Sequence, residues 1–323
     1  MCLPSATHLT QLVNRAWASW ALIPDLRGPL GSPRAQAPTD AVPYTRSVDS
    51  STYRDFAAAT RGRDSDVDLF GAAMLIARLG DPAADPHAVA RELDVIAEAV
   101  TDSVEPGADP ETLAGAIDHE LFVVRGYSGN HSTYAEPENS FLDRVVGRRL
   151  GIPISLSLVY MEVAQRVGLR CDGVGYPGHF VVRCGDPAEP IYVDPFNQGV
   201  RMDRAELIAR LRGQELPGSA ESYLAAITRR QLLQRMLRNL HVIYRDRRDI
   251  ERWLSIVEFA LCLEPWNAAL VGERGMLNYR LGRHEAALGD LQRYVEAAEP
   301  EALTPGARKL LDELKLHFGG RHE

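Results

Sequence analysis

Lysine is nearly missing from this chain of 323 residues. Of 36 lysines and arginines only two, Lys309 and Lys315, are lysine, which leaves 34 arginines. With abundant Ala, Gly and Val, that bias points to a GC-rich coding sequence and not to a function. Net basicity is lacking too: the formal charge is −8 and the pI near 5.7, against a general nucleic-acid binder. No stretch approaches the roughly 18 apolar residues of a membrane-crossing helix, so no membrane partner is expected. The chain has four cysteines, Cys2, Cys171, Cys184 and Cys262, and no two form a C-x-x-C pair. Zinc-ribbon and thioredoxin-like readings therefore have no support. They read as reduced thiols of a cytoplasmic protein, with a Cys171–Cys184 disulfide across adjacent strands as the alternative. His87, His119, His131, His241 and His284 are scattered without metal-ligand spacing, so no metal and no cofactor are expected.

What is present is ordinary for a globular protein: 45% hydrophobic and 25% charged residues, in a length suited to about two domains. Residues 1–50 stand apart. Leu26 to Pro43 holds Pro29, Pro33, Pro38 and Pro43 and reads as irregular. Met1 to Pro24 lacks the basic and apolar arrangement of a signal peptide. Helical periodicity begins near Asp66 with Leu69, Ala72, Ala73, Ile76 and Leu79. Two more helices follow, Pro86 to Val100 and Pro110 to Phe122. Asn139 reads as the N-cap of a helix through Leu150, ended by Gly151. Pro153 suits the first turn of the next, which Gly168 stops.

Two strands come next, Phe180–Arg183 and Ile191–Val193, around the turn-rich segment Gly185–Pro190. A symmetric hairpin about residues 186 and 187 pairs Phe180 with Val193, Val182 with Ile191, and His179 with Asp194. Such neighbours stand about 4.5–5.5 Å apart at Cβ, so imidazole and carboxylate can bond. A one-residue slip would put them on opposite faces. From about Ser222 the chain is helical again. Glu264-Pro265 and Glu299-Pro300 end two segments 35 residues apart, 299 minus 264, near the roughly 34-residue period of a tetratricopeptide pair. Small residues at Ala260, Gly275 and Ala286 permit close helix approach. The eight arginines between Arg229 and Arg252 read as a solvated helical face.

Ser155, His179 and Asp194 form the candidate constellation. An acid orients the imidazole and the imidazole takes the proton of the nucleophile. Ser155 sits in the first turn of a helix, where the dipole and free N–H groups favour negative charge. Serine there depends wholly on a base. The competing reading makes Ser155 and Ser157 capping residues.

The blocks Asn139-Ser140-Phe141-Leu142, Arg148-Arg149-Leu150-Gly151-Ile152-Pro153-Ile154-Ser155-Leu156-Ser157, Tyr176-Pro177-Gly178-His179-Phe180 and Val193-Asp194-Pro195-Phe196-Asn197 resemble the SirB-type transglutaminase-like proteins over roughly residues 66–300. The resemblance implies an α+β fold: a papain-like core preceded by a helical block and followed by tetratricopeptide-type helices. It implies domains at 51–228 and 229–323 after the extension 1–50. The superfamily's nucleophilic Cys, His and Asp fall near Ser155, at His179 and at Asp194, and no Cys occurs between residues 3 and 170. Asn139, Gly178 and Asn197 complete the expected pocket. Three functions follow. The first is peptide or protein binding by a non-thiol, degenerate site; the second is a hydrolase or acyltransferase using Ser155, His179 and Asp194; the third is regulation by protein contacts alone.

Overall fold

The computed structural model describes residues 50–212, 219–298 and 305–319. Apart from Ser50, the extension lies outside the described residues, as do Cys2 and Glu299-Pro300. The chain divides into two compact units. Residues 55–243 make the first, and residues 50–54 with 244–319 the described part of the second.

Helix α1 (Ser50–Ala59) runs across the division at residue 55, and the first unit continues with α2 (Leu69–Ala77), α3 (Pro86–Asp102) and α4 (Pro110–Asp118). Aspartates start three of them: Asp68, Asp85 and Asp109 each accept a backbone N–H of the first turn. Along α3 the spacing Val89, Leu93, Ile96, Val100 gives one buried stripe. The single helix expected from Pro110 to Phe122 changes pitch: after Asp118 it widens into a π-helical turn, His119–Val124.

Next come β1 (Ser128–Gly129), α5 (Leu142–Arg148), β2 (Leu150–Gly151) and α6 (Pro153–Arg166). Here Asn139 does not cap α5. It belongs to a short 3-10 turn, Pro137–Asn139, and Phe141 takes the N-cap position. The helix also stops early, at Arg148, because Arg149 turns left-handed with φ 55°. That frees Leu150 and Gly151 to pair in parallel with Ser128 and Gly129. Helix α6 is buried almost all round, from Pro153 to Ala164, as befits the central helix of a core.

The sheet has four strands and not two: β3 (Cys171–Val174), β4 (Val181–Cys184), β5 (Ile191–Asp194) and β6 (Val200–Met202), antiparallel in that order. Helix α6 packs on β3 and β4, while Val174, Val181 and Tyr192 form a cluster with Leu207 and Leu211 of α7 (Arg204–Leu211). The β4–β5 register is Val182↔Val193 and Cys184↔Ile191, two residues from the expected pairing. The turn explains it. Glu189 N–H bonds Asp186 O at 3.1 Å, and Ala188 N–H bonds the Asp186 carboxylate at 2.8 Å. This centres the reversal on Pro187 and Ala188. An even slip leaves every side chain on its face.

Cys171 and Cys184 lie directly opposite on β3 and β4 and are joined as a disulfide. The reading of four reduced thiols is corrected accordingly: cross-strand neighbours, here with Cα atoms 4.2 Å apart, sit within bonding reach. Cys262 is the free cysteine among the described residues.

Helix α8 (Arg229–Arg247) runs across the division of the chain, and the second unit continues through α9 (Ile250–Leu263), α10 (Ala268–Arg280), α11 (His284–Ala297) and α12 (Pro305–Gly319). Helices α10 and α11 are antiparallel. A Cβ on Gly272 would stand 2.7 Å from the Tyr294 ring, and one on Gly275 3.0 Å from Leu291 Cγ. The approach expected at Ala286 falls instead to its neighbour Ala287, which is fully buried. Among the described residues, no helix is long and apolar enough to cross a membrane.

Candidate functional site

His179 is delivered by a tight turn. Pro177 and Gly178 take its two central positions, Gly178 with φ 74°, and His179 N–H closes it on Tyr176 O at 3.0 Å. Pro before a positive-φ Gly is the type II pattern. Gly178 is thus the hinge that aims the imidazole.

Asp194 ends β5 and caps the 3-10 turn Pro195–Asn197. Its Oδ1 accepts the Phe196 and Asn197 N–H groups at 3.1 and 3.2 Å. Its Oδ2 accepts Asn197 Nδ2 at 2.8 Å and meets His179 Nε2 at 2.7 Å. Burial pushes the Asp194 carboxyl up, but the bonds from His179 and Asn197 outweigh it and hold the group below its ordinary value. An ionised carboxylate only accepts, so Nε2 is the donor to it, and in the neutral imidazole Nδ1 presents a lone pair. In the observed register Asp194 stands diagonal to His179, a separation that long side chains span.

Ser155 has a different setting. It is fully buried. As the third residue of α6 its Oγ accepts Ile152 N–H at 3.0 Å and donates to Asn139 O at 2.6 Å, with Ile152 O at 3.2 Å. The first contact is half of a capping box. Gly151 makes room for it, since a Cβ there would stand 2.7 Å from Oγ. A hydroxyl has one proton, and the short bond to Asn139 takes it. Ser155 therefore bonds backbone on both sides and makes no hydrogen bond to His179. Ser157, two residues on, is equally buried, and its hydroxyl has no hydrogen-bond partner among the described residues.

Asn139 is a scaffold residue. Its Nδ2 donates to Thr133 O and Tyr134 O at 2.8 and 3.2 Å, and its Oδ1 accepts Asn130 Nδ2 at 3.1 Å. The loop it knits lies against Phe196, whose ring centroid is 4.4 Å from that of His131, 6.3 Å from Tyr134 and 6.0 Å from His179. The structure thus brings His179, Asp194 and Asn197 into direct contact. It places Ser155 and Asn139 in a second contact, and Phe196 lies between the His179 turn and the loop that Asn139 knits.

Sequence reasoning missed Arg235. Read as part of a solvated face, it instead points inward from α8. Its Nη2 donates to His179 O at 2.6 Å and Tyr176 O at 3.2 Å, and its guanidinium lies 5.2 Å from the Phe180 ring centroid. Burial pushes it down to about 10. Arg229 and Arg230, nearer the surface, donate to Val67 O and Gly62 O, both at 2.7 Å. The signal available was the place of Arg235 three residues after Leu232 and next to Met236, which sets an arginine beside an apolar stripe.

Among the described residues there is no group of three or more His, Cys, Asp or Glu side chains able to hold a metal. Residues 87–238 match the profile of the transglutaminase-like superfamily, and residues 240–312 match a tetratricopeptide repeat. A UPF0162 protein of Xylella fastidiosa (strain Temecula1) is 36% identical over 238 residues, covering 72% of this chain and 85% of the relative. One from Pseudomonas aeruginosa is 31% identical over 228 residues, covering 70% and 83%. The F-box only protein 21 of Mus musculus is 34% identical over 133 residues, 39% of this chain and 21% of that protein. No solved structure matches the chain. With the blocks that carry the SirB-type resemblance lying inside the transglutaminase-like match, and a tetratricopeptide region behind it, the chain belongs to the UPF0162 family.

Proposed function

We propose that this protein binds a peptide or protein segment at a transglutaminase-like site that lacks a working nucleophile. The observation that carries this reading is the Ser155 hydroxyl, fully buried and bonded to Asn139 O at 2.6 Å. A nucleophile must present its oxygen to the base and to the substrate, and this one is sealed under a loop. His179 keeps a different use. Its side chain is 22% exposed, its Nε2 is fixed on Asp194, and its Nδ1 lone pair is set to accept an N–H or O–H of a ligand. The edge of Phe196 beside it supplies apolar contact. The tetratricopeptide unit adds a second surface of a kind that commonly engages proteins.

The enzymatic reading keeps one observation in its favour: the His179–Asp194 bond at 2.7 Å is the orientation a general base requires. It needs Ser155 to leave both backbone partners. Regulation by protein contacts alone would leave His179 idle. One experiment separates the three. A displayed peptide library is panned on the full chain and on His179→Ala, and both proteins are treated with a fluorophosphonate probe. Binding predicts enriched peptides that lose about tenfold affinity on His179→Ala, the effect of one well-made polar contact, and no labelling. Labelling at Ser155 that His179→Ala abolishes would make the protein a hydrolase. Peptides that bind both forms equally would move recognition away from His179.

A further inference from the structure

The disulfide encloses the His179 turn. It joins Cys171 at the start of β3 to Cys184 at the end of β4, and the turn lies between these strands. We propose that the Cys171–Cys184 pair is a thiol–disulfide exchange site for a dithiol reductant, and that its redox state controls how firmly His179 is held. The regulatory part rests on His179 serving the site described above; the experiment reads the hairpin itself, so it succeeds or fails apart from any ligand.

Strand β3 stands at one edge of the sheet. On its outer side it is held by an isolated bridge, Val174↔Ala226, and by Ile227 N–H on Gly173 O at 2.9 Å. On its inner side it has four residues of ladder with β4. At the open end, where Gly185 N–H on Arg170 O at 2.9 Å is the adjoining backbone bond, the crosslink adds to this ladder and to the packing of α6 on β3. From β3 the support passes inward by contact. Gly173 lies so near Phe180 that a Cβ would meet the ring at 2.8 Å. Phe180 follows His179 in the chain, and its ring carries the guanidinium of Arg235 at 5.2 Å. Arg235 in turn holds His179 O at 2.6 Å and Tyr176 O at 3.2 Å. If β3 lifts, Phe180 loses its backing, and the Arg235 clasp on the turn loosens with it. The backbone pairing of β4 with β5, Cys184↔Ile191 included, does not depend on the S–S bond, so the fold persists while the imidazole gains freedom.

Exchange has a defined direction. Cys184 is 1% exposed, whereas Cys171 is partly exposed, so an incoming thiolate attacks the Cys171 sulfur and Cys184 leaves as thiolate. The reductant's second thiol then attacks the mixed disulfide and releases Cys171. Two electrons and two protons pass from the dithiol to the pair, yielding two thiols and one oxidised reductant. In reducing compartments disulfides are typically transient and redox-sensing, which suits this use.

The test uses the full chain. Trypsin cleaves after Arg170, Arg183 and Arg201, so the oxidised protein yields residues 171–183 and 184–201 as one linked species and the reduced protein yields two. Amide hydrogen exchange is followed before and after dithiothreitol, and in Cys171→Ser. Reduction is expected to speed exchange in residues 176–181 about tenfold while the amides of α3 stay unchanged, since opening is local. Cys171→Ser should exchange like the reduced protein and ignore dithiothreitol. Unlinked peptides from protein prepared under air oxidation would overturn the proposal. So would complete reduction without change at 176–181, or acceleration spread equally over α3, which would make the bond a general staple.

Discussion

Removing Asp194 should damage this protein far more than removing His179, although the two share one bond. Asp194 is 4% exposed and accepts four hydrogen bonds: the backbone N–H groups of Phe196 and Asn197, Asn197 Nδ2, and His179 Nε2. Hydrogen bonds to a charged group contribute roughly 1.5–3 kcal/mol each, and a donor left buried adds its own desolvation. Two of the four donors belong to exposed Asn197 and regain water. The remaining two set the cost of Asp194→Ala at about 3–5 kcal/mol. His179→Ala deletes one bond, leaves the carboxylate three, and opens a position already 22% exposed, so about 1–2 kcal/mol is expected. The coupling in a double-mutant cycle should be about 1–2 kcal/mol. Acid sharpens the test. The Asp194 carboxyl titrates below its ordinary value in the fold, so its contribution is complete above the unfolded value near 3.8 and fades as pH falls through the lower folded one. The deficit of Asp194→Asn should therefore shrink below about pH 4. Urea melts of both single variants and the double variant, at neutral and acid pH, supply the numbers. A His179→Ala loss equal to that of Asp194→Ala would refute the carboxylate as the hub, and zero coupling would mean the 2.7 Å contact carries no energy.

Ser155→Ala should cost about 1–3 kcal/mol by leaving Ile152 N–H buried and unpaired. Gly151→Ala should cost more, because its Cβ would stand 2.7 Å from Ser155 Oγ and 3.1 Å from Leu156 and Val145; adding Ser155→Ala to it should recover part of the loss in melts of the double variant. Asp118 gives the opposite pH sign from Asp194. Burial pushes it up to about 6 despite the Arg201 bond at 2.6 Å, so the folded state holds its proton more tightly than the unfolded chain. Stability should fall by about 3 kcal/mol as pH rises from 4 to 6 and then level; Asp118→Asn should lack that slope, and parallel wild-type and variant curves would disprove it. Gly272→Ala should separate α10 from α11, because the new methyl group would lie 2.7 Å from the Tyr294 ring. A loss above about 1 kcal/mol is expected in thermal melts, and an unchanged Tm would show that the pair has slack.

The His179–Asp194 contact was legible from the sequence because it depends on parity. The hairpin closed two residues away from the expected register, and the face of each side chain survived the error. The role of Ser155 was not legible. Nucleophile and capping box both place serine in the first turn, and the difference lies in where one oxygen points. Arg235 was hidden by composition, since inward and outward arginines look alike in a segment with eight. Strands β3 and β6 are short, and Cys-Asp-Gly-Val shows no alternation strong enough to announce an edge strand. The tetratricopeptide pair was legible through its terminators, although one lies beyond the described residues.

Asp194 does two things at once: it caps the turn at Pro195–Asn197 and it receives the imidazole. This has a consequence for tracing the ancestry of such sites. If a lineage loses its nucleophile, the acid still caps the turn, so a mutation that erases it also costs the cap. The histidine beside it then stays oriented as a by-product. An intact His–Asp pair is thus a poor witness to chemistry, because its acid has a structural reason to stay. The third residue of the helix that Pro153 opens is the better witness: thiol or hydroxyl, facing the ring or facing the backbone.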